Sequence, residues 1–419
     1  MAVDVAALDG FFKDAYGDLT NLIPDSSMLT KDIPFEQRER EGRIYRFPVI
    51  VQASHGFTYA DPTTDGAFAI NPAISMRTQS AEVNGAVILL NETIGYDAIT
   101  RGMSNLQAFA NTTSLTVEQM AESHGNRLEI ATLYGRSGLA NILSSANASA
   151  TATVLTVTVG SWALGIWSGM ENAEFDVYNN VTKINTNAAL ILTVVGPDAR
   201  TLRVTGNAAD IAALDTAVSA NPSVLRVFFQ GAFSKEQYGL DQILSNTGNL
   251  FSIDASAFAL WRANVRTITG QLTMAKVLAG VAQAQARGLK EKLCVYVNPI
   301  TWSDLNSELS ALTRFNNGSG EKKNGAGSIT YQGGVEIEVK AHSIVKQGEA
   351  FGIPLARCKR VGSTDVTAAL NILGGKDSFF FVLPLNAGVG LRSYSDCALI
   401  IETPARCVKW TGFTNSAGS

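Results

Sequence analysis

One long stretch of helical periodicity, residues 114–143, stands between two parts of the chain that are rich in strand-forming residues. Ser114 or Thr116 can cap its start, whereas Gly125 and Gly135 weaken it, so the helix is expected to be broken or to end near them. A helix in this place would act as a structural spine between strand-rich arms. Its apolar residues recur at near-helical spacing: Leu115, Met120, Leu128, Ile130, Leu133, Leu139 and Ile142.

The charge balance of the chain limits the class of protein. The 419 residues carry a formal net charge of −4, and 46% are hydrophobic but only 17% charged. A chain of this length can form roughly two to four domains with sizeable cores. So little charge indicates that part of the surface is buried against other subunits. The nearly neutral balance argues against a dedicated nucleic-acid-binding protein, which needs a basic surface.

The cysteines and the N-terminus indicate the compartment. Cys294, Cys358, Cys397 and Cys407 form no CxxC pair and have no zinc-ligand spacing with a histidine. Buried free thiols are therefore expected, as in a reducing cytoplasm. The N-terminal MAVDVAALDG lacks the basic start and apolar core of a signal peptide. No apolar run approaches the roughly twenty residues of a membrane span.

The chain before the helix predicts an arm and a long hairpin. Residues 44–60 are rich in aromatic and β-branched residues, and residues 82–92 form a second strand-like run. About twenty loop residues between two strands are unusual unless the loop has a role. A two-stranded ribbon cannot bury its own apolar face, so the hairpin is expected to lie on a neighbouring chain.

After the helix, residues 146–230 predict a small β unit inserted into the parent domain. Its strand candidates, TATVLTVTV, AEFDVYN, NAALILTVV and RTLRVTG, are separated by turn signals at short intervals. Residues 208–220 predict a short helix or a turn-bearing loop. Trp162 and Trp167 suit a core or an interface better than a sugar-stacking platform.

The remainder of the chain reads as an α/β unit followed by closing strands. Residues 292–299, KLCVYVNP, predict a short apolar strand that ends at Pro299, and the glycine-rich loop NNGSGEKKNGAG precedes a return to strand at Ile329. Residues 378–413 are almost all strand. Helices are predicted over Phe251–Thr267, Met274–Arg287 and Ile300–Leu312.

No constellation of residues predicts catalysis, a metal site or a cofactor. The glycine-rich loop lacks the Lys-Ser/Thr pair of a phosphate-binding loop, and a mobile loop is the better interpretation. His55, His124 and His342 lie in different elements, and no HExxH pattern is present. Glu336 and Glu338 would lie on the same face of a strand with nothing to mark an acid–base pair. No G-x-S-x-G motif is present.

The order of these parts resembles the major capsid proteins of tailed bacteriophages, which have the Hong Kong 97-type fold. The resemblance rests on the layout and on three stretches: GLDQILSNTGNL at 239–250, CVYVNPITWSDLNSEL at 294–309 and VEIEVKAHSIVKQGEAFGIP at 335–354. It implies an α+β fold with an inserted, barrel-like β domain. The implied divisions are an N-terminal arm (1–42), an extended-loop hairpin (43–96), a peripheral domain with the spine helix (97–145), the insertion (146–232), an axial domain (233–345) and closing strands (346–419).

The resemblance also implies a function and partners. Such a chain is expected to self-assemble into hexamers and pentamers of an icosahedral head that encloses double-stranded DNA, and to reside in the virion after assembly in the bacterial cytoplasm. A portal, a separate scaffolding protein and a decoration protein are the further partners implied, and no membrane is. The expected interface residues are Phe11, Phe12, Phe57, Tyr59, Val87, Ile88 and Leu89, and the expected flexible axial loop contains Asn316, Gly320, Lys322, Lys323 and Gly327.

Two other interpretations remain open on the sequence. A cellular nanocompartment shell of the same fold would carry a cargo-docking patch instead of enclosing a viral genome. From a different class, a glycan-binding β module or a carboxylate-dependent hydrolase would work as a small oligomer with a pocket of convergent polar groups.

Overall fold

The computed structural model describes residues 27–37, 44–63, 66–95, 106–313, 329–330, 335–367, 381–382 and 388–416. The helices among them are α1 (Met28–Asp32), α2 (Leu106–Tyr134), α3 (Leu164–Trp167), α4 (Ala208–Ala220), α5 (Leu240–Ser245), α6 (Met274–Ala286) and α7 (Pro299–Thr313).

The strands fall into two halves of the chain. Before and within the insertion they are β1 (Phe35–Gln37), β2 (Ile44–Gln52), β3 (Arg77–Asn84), β4 (Ala86–Gly95), β5 (Ala140–Ser149), β6 (Ala152–Val157), β7 (Glu174–Asn179), β8 (Thr182–Lys183), β9 (Leu190–Gly196), β10 (Thr201–Thr205) and β11 (Leu225–Phe229). After it they are β12 (Asn249–Leu250), β13 (Ile253–Asp254), β14 (Asn264–Thr267), β15 (Leu293–Val297), β16 (Ile329–Thr330), β17 (Glu336–Ala341), β18 (Glu349–Ile353), β19 (Cys358–Thr367), β20 (Phe381–Val382), β21 (Gly388–Ile401) and β22 (Val408–Thr411).

The predicted spine helix is present as α2, but its bounds differ from the prediction. The helix begins at Leu106 and continues through Gly125 without a break. It ends at Tyr134, so Leu139 and Ile142 lie beyond it, and Ile142 belongs to β5. The last turns are buried on all sides, from Leu128 to Tyr134, which places α2 at the centre of the molecule. The side chains of a helix buried all round cannot show a clean amphipathic pattern.

The inserted β unit is a closed barrel. Six strands pair in the order β11-β5-β6-β10-β9-β7, and β7 pairs back to β11 to close the ring. Helix α4 is capped by Asn207, whose side chain accepts a hydrogen bond from the Ala209 amide. Trp162 and Trp167 are buried and stacked in the core, with ring centroids 6.3 Å apart. The barrel strands begin at Ala140, inside the stretch whose periodicity predicts helix, and end at Phe229.

Two open sheets flank α2. One has six strands in the order β14-β22-β18-β15-β17-β16 and packs α6 and α7 against a second hydrophobic cluster that includes Val281, Val295 and Trp410. The other places β19 and β4 on opposite edges of the long strand β21, with β1 pairing to β19 in parallel. The four cysteines are buried free thiols, as expected.

The prediction of a helix over Phe251–Thr267 is wrong. This segment holds β13, a single 3-10 turn over Ala259–Trp261, and β14. Phe251 and Ser252 have positive φ angles, which form the tight turn between β12 and β13. The buried Trp261 indole donates to the Leu250 carbonyl at 2.9 Å, so tertiary contacts override the local helical pattern.

Candidate assembly interface

The base of the hairpin is anchored to the body of the protein. Strands β2 and β3 pair antiparallel, from Ile44 opposite Asn84 to Gln52 opposite Arg77. Alternate residues of both strands face inward, and Tyr45 and Val83 are buried. The inward face of β2 also brings Phe47 to Trp261, with ring centroids 6.4 Å apart. The base therefore has a fixed direction relative to the rest of the chain.

Polar contacts hold the outer side of the same base. The Glu82 amide donates to the Phe251 carbonyl at 2.9 Å, and the Glu82 carboxylate accepts from Arg46 Nε at 2.9 Å and from the Ser252 hydroxyl at 3.3 Å. Arg77 lies over the Phe258 ring, 5.7 Å from its centroid. These contacts end where β2 and β3 end.

Beyond Gln52 and Arg77 the ribbon continues as an ordered extension, here called the hairpin tip (residues 53–76, of which 53–63 and 66–76 are described). The Asn71 side-chain amide donates to the Phe57 carbonyl at 2.9 Å, and the Asn71 backbone amide donates to Thr58 Oγ1 at 2.9 Å. The His55 amide donates to the Ile74 carbonyl at 3.0 Å. These bonds tie the two arms of the tip to each other.

The hairpin tip exposes apolar side chains to an unusual degree. Phe57 is 67% exposed and Tyr59 is 92% exposed, so both side chains are accessible to a neighbouring molecule. Further exposed residues of the hairpin and its tip were missed by the sequence analysis: Ile50, Phe68, Ile70, Ile74 and Met76. For the four residues after Ile50, the signal was the run AFAINPAISM at 67–76, in which apolar residues persist through a segment without strand or helix periodicity. Exposed apolar patches of this kind mark interaction sites.

Val87, Ile88 and Leu89 do not belong to the hairpin, which corrects the prediction that residues 82–92 form its second strand. Strand β3 ends at Asn84, and β4 pairs instead with β21, so that Val87 lies opposite Asp396 and Leu89 opposite Tyr394. Periodicity identifies a strand but not its partner, and the apolar run of residues 82–92 gives no sign that the strand is interrupted after Asn84. Val87 and Leu89 are nevertheless exposed, so they offer a second apolar surface.

This second surface borders a groove of about 480 Å³ between β4, α2 and the barrel. Its walls include Leu89, Met170 and Phe229, and the guanidinium of Arg127 lies over the Phe229 ring, 3.1 Å from its centroid. Burial lowers the pKa of Arg127 to about 10, although the nearby Glu236 carboxylate opposes the shift. Burial likewise raises the pKa of Glu236. The groove thus combines apolar walls with two desolvated groups of opposite charge, Arg127 and Glu236.

The last part of the N-terminal arm, which the structure describes from Ser27 onward, is held to the body of the protein by hydrogen bonds. Glu129 on α2 accepts hydrogen bonds from the Leu29 amide at 2.6 Å and the Thr30 amide at 2.8 Å. Asp32 accepts from the Tyr296 hydroxyl at 2.6 Å. Phe11 and Phe12 lie outside the described residues, as do Asn316, Gly320, Lys322, Lys323 and Gly327.

Several polar side chains that the sequence analysis considered as catalytic or metal-binding candidates contact other side chains of the chain. His124 is buried between the hydroxyls of Ser393 and Ser395, at 2.7 Å from each. Lys292 bridges Glu336 and Glu338 at 3.0 and 3.1 Å. Because Trp162 and Trp167 are in the core, they cannot stack on a sugar.

The described residues contain neither a cluster of metal ligands nor a helix suited to a membrane. No three His, Cys, Asp or Glu side chains in the described ranges come together in a way that could hold a metal ion. Among the described helices, none combines the length and the apolar character that crossing a membrane requires.

Comparison with solved structures shows that this architecture shares its fold with a capsid chain. The chain is similar to a capsid chain of cyanophage A-1(L), with a TM-score of 0.52 over 94% of this chain and 97% of that one, at 10% identity. A native GTA particle capsid chain (TM-score 0.48, 8% identity, 98% of each chain) and the SrpI encapsulin of Synechococcus elongatus PCC 7942 (TM-score 0.45, 10% identity, 97% and 94%) are also similar. No family model and no curated protein matches the sequence. The capsid fold expected from the layout of the chain is confirmed.

Proposed function

We propose that this chain is a shell subunit, whose copies assemble into hexamers and pentamers of an icosahedral head around double-stranded DNA. The observation that carries the proposal is the hairpin tip, where Phe57, Tyr59 and Ile70 are exposed at the end of an anchored ribbon. The capsid fold shared with the cyanophage chain supports it. The role is structural, without catalysis.

Burial of the apolar hairpin tip supplies free energy for assembly. Burying roughly 1,000 Å² of apolar surface contributes about 25 kcal/mol before the costs of ordering and association. Those costs are large, so a single contact between two copies is weak and reversible. Contacts of one surface with a different surface of the next copy close into rings, and many such contacts make the closed shell stable. The exposed Val87 and Leu89 extend the surface that a neighbour can cover.

The charge of the chain suits an enclosed genome. With a formal net charge of −4, the subunit has no strong basic field to bind phosphates tightly. DNA can then slide along the inner wall during filling, since binding is weak and independent of sequence. A portal, a separate scaffolding protein and a decoration protein complete the proposed set of partners. After assembly, the chain is located in the virion.

Sizing the particles tests this proposal. The full chain, produced with the neighbouring genes of its locus, is expected to sediment as closed shells that electron microscopy resolves into hexamers and pentamers. Hydrogen exchange at residues 53–76 should be fast in the unassembled chain and slow in the shell. A solitary particle at high concentration, with the tip protected by its own chain, would contradict the proposal.

A nanocompartment that encloses protein is the second candidate, because the SrpI encapsulin is among the structurally similar chains. The contents of purified shells separate the two. Nuclease-resistant DNA of uniform length is expected for the proposed head, whereas a stoichiometric protein cargo without DNA would favour the nanocompartment.

A further inference from the structure

An arginine in the groove between β4, α2 and the barrel lacks a hydrogen-bond acceptor. The guanidinium of Arg127, on α2, lies over the Phe229 ring of β11, and no group in the described ranges accepts a hydrogen bond from it. A guanidinium carries five N–H donors in a planar fork. The ring contacts the face of this fork, so the donors at its edge remain available to an acceptor from outside the chain.

Leaving these donors without an acceptor is costly, because the group is partly removed from water. Burial lowers the pKa of Arg127 to about 10, which shows that its charge is less well solvated here than in water. The Glu236 carboxylate attracts the guanidinium through its charge, but it accepts its hydrogen bond from the Arg136 amide, at 3.4 Å. An oxygen of a bound ligand would supply the acceptor that Arg127 lacks.

The walls beside this arginine suit the apolar part of a ligand. The volume of about 480 Å³ is within the range of about 300–1,000 Å³ that is typical of small-molecule sites. Leu89, Met170 and Phe229 line it, and the flexible side chain of a methionine adapts to the shape of what it contacts. An apolar pocket with a few polar groups is the usual form of a site for a small molecule.

The charged groups of the groove favour an anion. Lys235 also lines the groove, and its ammonium has no ionic partner among the described residues. Two carboxyl groups are present as well, but Glu174 is exposed, so water screens its charge. Burial raises the pKa of Glu236, which favours the neutral acid. A neutral Glu236 donates a hydrogen bond to an anion instead of repelling it.

The hairpin tip of a neighbouring copy does not offer the missing acceptor. In the described part of the tip the one carboxylate is that of Asp61. It accepts hydrogen bonds from the Thr63 amide at 2.9 Å and the Thr63 hydroxyl at 2.6 Å, so it is directed into a turn of its own chain. A separate molecule with an acidic head and an apolar body satisfies both the guanidinium and the walls.

We propose that the groove binds a small amphipathic carboxylate of the medium-chain fatty acid class, with its carboxylate at Arg127 and its chain against Leu89 and Met170. The two carboxylate oxygens match the fork of N–H donors that a guanidinium presents. Because the walls come from β4, α2 and the barrel, a ligand that fills the groove contacts all three and stabilises their arrangement. This site is a property of the single subunit and does not depend on assembly.

Decanoate, kept below the concentration at which it forms micelles, is the probe. Titration calorimetry on the unassembled full chain should show one site, and the melting temperature should rise with decanoate concentration. Acetate, which lacks the chain, and decyltrimethylammonium, which has a chain of the same length and the opposite charge, should each bind about tenfold more weakly or less. Equal affinity for decanoate and the cation, or no binding of decanoate, would overturn the proposal.

Substitutions locate the site. Arg127→Met removes the donors but keeps an unbranched side chain, so decanoate affinity should fall about tenfold or more. The matched control is Arg203→Met, at an exposed arginine on the barrel strand β10, which should leave the affinity unchanged. Leu89→Asp places a charge on a wall residue that is 52% exposed, so the chain should fold and bind decanoate less tightly. Unchanged affinity in Arg127→Met, or equal losses in Arg127→Met and Arg203→Met, would refute the assignment.

A segment of a second copy is the alternative occupant, and the same variants distinguish it. If the groove receives a neighbouring chain, Arg127→Met should fail to form shells while the unassembled wild-type chain does not bind decanoate. That pair of results would overturn the ligand site. Normal shells from Arg127→Met, together with loss of the decanoate binding that the wild-type chain shows, would support it.

Discussion

Glu129 and His342 lie 2.7 Å apart in the interior, with both side chains almost fully buried. The same carboxylate accepts the Leu29 and Thr30 amides, so one group of the spine helix holds both the end of the N-terminal arm and the segment after β17. Removing this acceptor leaves several buried donors without partners, and each such group costs about 1–3 kcal/mol.

We therefore expect Glu129→Ala to lower the free energy of unfolding by about 3–5 kcal/mol. Thermal unfolding of the unassembled chain measures the loss, and limited proteolysis should cut earlier near residues 27–37. The control is Glu118→Ala, an exposed glutamate on the same helix, which should change stability by less than about 0.5 kcal/mol. Equal effects of the two substitutions would contradict the anchoring role of Glu129.

Charges on the hairpin tip should block assembly without unfolding the subunit. Tyr59→Asp with Ile70→Asp places two carboxylates on side chains that contact little of their own chain. The matched control is Val181→Asp, since Val181 is 78% exposed but lies on the barrel. We expect unchanged melting temperatures for both variants and shells from the control alone, as seen by sedimentation. Normal shells from the tip variant would refute the role of the tip.

Two glycines, Gly125 within the spine helix and Gly135 directly after its last residue, should respond to alanine in opposite directions. A Cβ on Gly125 meets nothing within 4 Å, so Gly125→Ala should stabilise the chain by about 0.5–1 kcal/mol through helix propensity. A Cβ on Gly135 would lie 2.3 Å from the Gln237 carbonyl oxygen, so Gly135→Ala should destabilise it by about 1–3 kcal/mol or more. Chemical unfolding of the unassembled chain measures both, and shifts of the same sign would contradict the packing at Gly135.

His124 should make the subunit less stable in acid. Burial, and next the charge of Arg127, lower its pKa below the usual 6.5, while Asp365 opposes the shift. The unfolded chain therefore binds a proton more readily, and stability is lost as pH falls through about 6.5. His124→Gln should flatten this part of the stability profile, and His55→Gln, at the exposed tip, should not. An unchanged slope in His124→Gln would contradict the prediction.

The sequence predicted the positions of helices and strands better than it predicted which strands pair with each other. Helices α6 and α7 and the strands β6, β7, β9 and β10 lie where periodicity placed them, whereas the spine helix is present with different ends. Strand β5 was missed because its sequence, ANILSSANAS, is largely polar and its first residues extend the helical spacing. The partner of β4 was missed because pairing with β21, near the other end of the chain, leaves no local signal.

The candidate interface shows the same difference between what local sequence predicts and what only the fold reveals. Phe57 and Tyr59 could be identified because apolar residues in a turn-rich segment have no place to be buried within a two-stranded ribbon. The groove could not, since Leu89, Arg127 and Phe229 lie on three separate elements that only the fold brings together.

The first and last strands of the barrel, β5 and β11, pair with each other, and the Leu139 amide donates to the Val227 carbonyl at 2.8 Å, so the chain enters and leaves the barrel at neighbouring points. A module inserted between two such neighbouring points does not strain the surrounding structure. Another compact module with adjacent termini could therefore be grafted between Gly138 and Gln230, and every copy in a shell would then display it.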